Sequence, residues 1–151
     1  ADLNKSVKAG GKHPFIADAW LPSDAMRGEL AESWEWKENP LRVEIKLRKG
    51  IMWPEKPGVM KSREFVADDV IFAYTRLDAS PRKIKGYFDH VAKAHAPDKH
   101  TVVFEFKDYF AEWDYRFGYG YFSAIYPKEV VEAGANNWKN VTGTGPYQLT
   151  D

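Results

Sequence analysis

Cysteine is absent from the sequence, which excludes disulfides, thiolate metal sites and thiol nucleophiles while leaving the compartment open. An excess of either charge is missing too: 22 Lys and Arg face 22 Asp and Glu, the formal net charge is zero, and no long block of one sign concentrates a field. Nucleic-acid affinity rests largely on neutralising phosphates, so this balance argues against a nucleic-acid partner. No apolar run reaches the roughly 18 residues of a membrane helix, and no membrane insertion of this segment is expected. The opening "ADLNKSVKAGGKH" lacks the basic start and apolar stretch of a signal peptide, so a leader is either removed or never present. Aromatics, in contrast, are abundant, with six Trp, eight Tyr and nine Phe in 151 residues. One small core does not need so many, which points to some of them facing a ligand or partner.

Hydrophobic patterning predicts an α+β fold with a mixed or antiparallel sheet, hairpins and a few short helices. Residues 1–40 show no sustained periodicity beyond a short helix around Ala25–Ser33 and read as an irregular N-terminal arm. From Leu41, the residues Leu41, Val43, Ile45 and Leu47 alternate with charged neighbours, the pattern of a half-buried strand. Ile51 to Trp53 form a second, short strand. Val70, Ala73, Tyr74 and Leu77 fall at helical spacing between Ala67 and Ala79, behind Asp68 and Asp69, which suit a solvated helix N-terminus. Ser80-Pro81 ends that helix. Tyr87–Ala96 and Thr101–Lys107 read as a hairpin with Pro97 and Asp98 in the turn, placing Val102, Phe104 and Phe106 on one face. Pro127 opens a short helix that carries Val130 and Val131 and ends near Gly134. These elements define an α+β unit over 41–139, followed by a loop and strand at 140–151.

Motifs for catalysis or cofactor binding fail one by one. Gly11-Lys12 lacks the upstream glycine and the following Ser or Thr of a phosphate loop, and "GTGPY" lacks the third glycine and the helix of a dinucleotide site. His90, His95 and His100 read as ordinary surface histidines, because a five-residue step on a strand puts the first two on opposite faces. No nucleophile sits in a strand-elbow-helix context. No catalytic residue, metal or cofactor is expected. Within the aromatic stretch, Phe110, Trp113 and Phe117 have the spacing of core residues. Tyr119 and Tyr121 flank Gly118 and Gly120, where an exposed loop wall and core packing are equally open readings.

The order of motifs carries a family resemblance. "LAESWEW", "RVEIKLRKGIMW", "FVADDVIFAYTRL", "DKHTVVFEFK", "IYPKEVVE" and "GTGPYQL" succeed one another between residues 30 and 149. Together they resemble the extracellular solute-binding proteins of peptide-type ABC importers, the family of dipeptide-, oligopeptide- and nickel-binding proteins. The resemblance implies a periplasmic or surface-tethered receptor that holds a small solute, peptide first, between two lobes and delivers it to an ABC permease. It implies that this chain is an internal piece of a first lobe in a periplasmic-binding-protein-like fold, with 41–139 as its small subdomain and 140–151 leading back to the main sheet. It also implies solute contacts from Tyr87 and from Arg116, Tyr119, Tyr121 and Phe122, with Arg116 offering a guanidinium to a solute carboxylate. Where the family has Thr before the long helix this chain has Val66, and loss of a side-chain N-cap costs about 1 kcal/mol. The competing reading is a free-standing aromatic-rich module for carbohydrate or protein contacts.

Overall fold

The alternation that begins at Leu41 becomes β2 of a four-stranded antiparallel sheet in the computed structural model, which describes residues 3–12, 23–119 and 124–149. The strands are β1 (Ala31–Lys37), β2 (Arg42–Leu47), a two-residue hairpin pair β3 (Met52–Trp53) and β4 (Arg63–Glu64), then β5 (Val91–Asp98) and β6 (Thr101–Phe106). The helices are α1 (Ala67–Asp78) and α2 (Lys128–Glu132). Sheet order is β1-β2-β6-β5. Register places Trp34 opposite Ile45, Trp36 opposite Val43, and Ile45 and Val43 opposite Val102 and Phe104, so one face is apolar across the sheet. Helix α1 covers part of that face with Ala73, Val70 and Tyr74, and the core gathers Val43, Leu47, Trp53, Phe65, Val102, Phe104 and Phe106.

The α+β class and antiparallel sheet are as the patterning predicts, with three local corrections. The helix expected around Ala25–Ser33 is not formed: a single 3-10 turn spans Ser23–Ala25, and Ala31–Lys37 pairs with β2 as an edge strand. Its burial scarcely alternates, because an edge strand is wet on much of its surface, so the period-2 signal is faint. The hairpin starts later than expected, at Val91, and its turn is Lys99-His100, since Asp98 remains in the ladder opposite Thr101 and accepts the His100 N–H at 2.8 Å. The strand expected at Tyr147–Leu149 is not formed among the described residues. Those residues join no ladder among the described residues, and Tyr147 is 90% exposed; a strand without a neighbour leaves its backbone groups to water.

Two details of α1 also depart from expectation. Val66 supplies no side-chain cap, but Asp69 reaches back to its N–H at 3.0 Å, so half of a capping box survives. Asp69 is therefore not a solvated dipole partner but buried, and it also accepts from Trp53 Nε1 at 3.0 Å and from Arg63. At the other end of the sheet, Glu64 joins β4 to the β5–β6 turn. It accepts from Lys99 at 2.6 Å, from the Gly50 N–H at 2.8 Å and contacts His100 at 3.0 Å. The Lys99 bond, then those to Gly50 and His100, hold its carboxyl at about 2. A carboxyl held low stabilises the fold above its unfolded value of 4.5, and that contribution fades as pH falls through about 2. Thermal melts across that window should show a shallower pH dependence for Glu64→Gln than for the wild type; parallel profiles would show that Glu64 is not linked to folding.

Candidate functional site

The expected site residues that the structure describes come together around Arg116. Gly86, at φ +80°, turns the chain out of the loop after α1, a backbone state glycine adopts without steric cost. Tyr87 follows, and its N–H donates to Ile84 O at 3.1 Å. Tyr87 and Phe88 are both buried, with rings in edge contact at 4.9 Å. Phe88 continues inward to Tyr74 and Phe117. Burial pushes the Tyr87 hydroxyl up, against the opposing pull of the Arg116 charge.

Arg116 lies in one turn of π-helix, Tyr115–Tyr119, a local form that recurs at functional sites. That turn faces two ways. Phe117 points into the core, 4.5 Å from Phe104 between ring centroids. Arg116 points the other way, its guanidinium 4.3 Å from the Tyr87 ring centroid and 5.3 Å from that of Phe110, a cation–π seat on two rings. Phe110 is itself stacked on His90 at 4.4 Å and 11°, and His90 Nδ1 lies 2.7 Å from Asp108. Arg116 Nη2 donates to Glu112 Oε2 at 2.9 Å, one turn back. At Gly118 an added Cβ would meet no atom of the described residues within 4 Å, so among them the space beside the turn is open.

Behind the same segment lies a cavity of about 370 Å³, walled by Trp34, Ile45, Leu77, Trp113, Phe117 and Ile125 among others. Trp34, Trp36, Trp113 and Tyr109 form an aromatic ridge beside it, with centroid separations of 5.2 to 6.4 Å, and Tyr109 is 66% exposed. Phe110, Trp113 and Phe117 pack against the core as their spacing implies.

Of the remaining expected contacts, Tyr121 and Phe122 lie outside the described residues, and for Tyr119 only the backbone, at the end of the π turn, is described. Sequence reading missed Glu112, His90 and Asp108. The first was visible as a Glu-Arg pair at i,i+4, which neighbours on a helical surface. The three histidines are not free surface groups: each is half-buried and faces a carboxylate, His90 with Asp108, His95 with Glu105 at 3.6 Å and His100 with Glu64. No group of three or more potential metal ligands occurs among the described residues. No helix among them is long and apolar enough to cross a membrane.

The profile described as "Bacterial extracellular solute-binding proteins, family 5 Middle" matches residues 25–151. The chain belongs to this family, one of solute-binding proteins and not of enzymes. It is 30% identical over 143 residues to the di/tripeptide-binding protein 2 of Pseudomonas aeruginosa, covering 80% of this chain and 26% of that protein. It is 29% identical over 139 residues to the dipeptide-binding protein of Escherichia coli, again over 80% of this chain and 26% of the relative. The chain thus spans about a quarter of the length of the curated relatives it matches. Among solved structures, it superposes with a TM-score of 0.70 and 25% identity on the binding protein MoaA from A. tumefaciens in complex with mannopinic acid, covering 89% of this chain and 27% of that one. It superposes with a TM-score of 0.63 and 26% identity on the periplasmic binding protein DppA of Helicobacter pylori in complex with the peptide STSA, covering 81% and 28%.

Proposed function

We propose that the chain is the small subdomain, with flanking segments, of the first lobe of a periplasmic or extracellular receptor that captures a peptide or similar small solute for an ABC permease. The subdomain in this reading begins not at 41, as the patterning suggested, but with β1 at Ala31, which pairs with β2 in the same sheet, and runs to 139; what precedes β1 is the arm, and 140–151 are the path back to the main sheet. The observation that carries the reading is the family match over residues 25–151. Relatives that bind di- and tripeptides by their names, and a neighbour solved with a four-residue peptide, make peptide the leading solute. The neighbour solved with mannopinic acid keeps other small polar solutes in view.

In this reading Tyr87 and Arg116, with Tyr119, Tyr121 and Phe122, form the first lobe's contribution to the solute cleft. Two features support it: the guanidinium is seated on aromatic rings, and the space beside Gly118 is open among the described residues. A rigid, half-dry cation is a better anchor for a carboxylate than a solvated one, since it loses less freedom on binding. No residue is asked to do chemistry. The exposed ring of Tyr109 favours the second reading, a free-standing aromatic module for glycans or proteins, but the family match outweighs it.

The test is a thermal-shift screen of the intact protein against pooled di- to pentapeptides. A binder at a hundredfold excess over its Kd adds about 2.7 kcal/mol of stability. At least one pool is expected to raise the melting temperature, and silence across all pools, with binding on a glycan array instead, would move the assignment to the second reading.

A further inference from the structure

The chain carries no net charge, yet residues 79–88, which lead out of α1, hold Arg82, Lys83 and Lys85 and no carboxylate. Arg76, exposed in the last turn of α1, precedes them with a further cation. Lys83 Nζ is taken by Asp78 Oδ1 at 2.6 Å, a pair that is neutral as a unit. Arg76, Arg82 and Lys85 make no ion pair among the described residues, and the next carboxylate, Asp89, lies beyond the buried Tyr87-Phe88 pair. Between Lys83 and Lys85 stands Ile84, 48% exposed. The backbone holds it there. Lys83 N–H donates to Ser80 O at 3.0 Å, Arg82 N–H to Ser80 Oγ at 3.2 Å, and Tyr87 N–H closes on Ile84 O at 3.1 Å. A lone exposed aliphatic is ordinary on a protein surface. An aliphatic held out among unneutralised cations by two successive turns is a different arrangement, because it presents charge and apolar surface together.

We propose that this loop rests on an anionic phospholipid surface, with Arg76, Arg82 and Lys85 on the headgroup phosphates and Ile84 reaching the acyl boundary between them. Lysine and arginine suit such a place twice over, since their apolar stems can lie along the boundary while the charged heads stay with the phosphates. Each cation near an anionic leaflet strengthens binding about fivefold. An acidic protein surface would meet the cations but not Ile84, whereas a bilayer supplies both layers and rearranges to fit them. The contact is peripheral, as no helix among the described residues is long and apolar enough to cross a membrane.

Flotation of the intact protein with vesicles tests this, using phosphatidylcholine alone and phosphatidylcholine with phosphatidylglycerol in equal parts. Binding is expected to the mixed vesicles only. It should weaken as salt rises from about 0.1 to about 1 M, where the Debye length shrinks from about 10 to about 3 Å. Arg82→Gln combined with Lys85→Gln should lower the partition coefficient about 25-fold, or about fivefold for each cation. Ile84→Ser should lower it about fivefold at unchanged charge. Lys49→Gln removes an exposed cation from the end of the molecule where α1 begins, and should leave the coefficient unchanged. These positions are exposed, so the melting temperatures of the variants should match that of the wild type. Equal binding to the two kinds of vesicle, an unchanged coefficient in either loop variant, or the same loss in Lys49→Gln overturns the proposal. So does binding to polyglutamate that is as tight as to the mixed vesicles and indifferent to Ile84→Ser, which would assign the loop to an acidic protein instead. Solute binding does not enter this readout: a failed flotation alongside a positive peptide screen overturns the lipid contact alone, and the reverse result overturns the importer reading alone.

Discussion

Replacing Arg63 with alanine is expected to destabilise the chain by about 3–5 kcal/mol, the cost of leaving a buried charge without its partner. Arg63 bridges two elements with four charge-assisted bonds. Nη2 and Nη1 donate to Asp69 at 2.7 and 3.0 Å, and Nε and Nη2 to Glu129 at 2.7 and 2.8 Å. Asp69 is 5% exposed in its side chain and Glu129 21%, so removal of the guanidinium leaves Asp69 in particular as a buried charge without its partner. The bonds to Glu129 first, then to Asp69, raise the guanidinium's own affinity for its proton, and the Arg63 bond holds the Glu129 carboxyl low. Urea unfolding measures the effect. Arg63→Ala combined with Asp69→Asn should recover part of the loss, since it also removes the stranded charge, although Asn cannot serve Trp53 Nε1 and the Val66 N–H as well as a carboxylate does. A loss below about 1 kcal/mol for Arg63→Ala would place the network among ordinary surface pairs.

A loss of similar size, about 3–5 kcal/mol, is expected for Phe104→Ala. Phe104 is 2% exposed at the centre of the sheet, with Phe117 at 4.5 Å and Tyr74 at 5.2 Å. Here the consequence reaches the candidate site. Phe117 and Arg116 are neighbours in one π turn, so a cavity under Phe117 loosens the turn that aims the guanidinium. Urea unfolding reports the stability, and broadening of the Arg116 Nε–H resonance reports the loosened seat. Phe104→Leu keeps most of the volume and should lose markedly less on both measures. A Phe104→Ala variant with full destabilisation but an unchanged Arg116 resonance would show that the seat is held independently of Phe117.

The sheet was legible wherever one face is buried and the other wet, because that situation writes a period of two into the chain: Val43, Ile45 and Leu47 in β2, Val102, Phe104 and Phe106 in β6. It was illegible at β1, where Trp34 and Trp36 share one face with Glu32 and the edge strand is wet on both sides, so burial barely alternates. Tyr87 and Arg116 were legible as candidates, but their mutual contact was not, since 28 intervening residues include a strand pair and no local rule places them together. The buried role of Asp69 was hidden for a related reason. An acidic residue in a first helical turn has a sufficient local explanation, and only the fold brings Trp53, Arg63 and Glu129 to it. The ending "GTGPYQL" resists phosphate readings on sequence grounds, and its residues 147–149 form no strand among the described residues.

The proposed role is tested most directly by small-angle scattering from the intact protein with and without a peptide drawn from the positive pool. A two-lobed receptor is expected to close on its solute, so the radius of gyration should fall on saturation, and Arg116→Ala should shift the same transition to higher peptide concentration without lowering the melting temperature of the free protein. An unchanged radius at saturating peptide, with binding verified by calorimetry, would contradict the account.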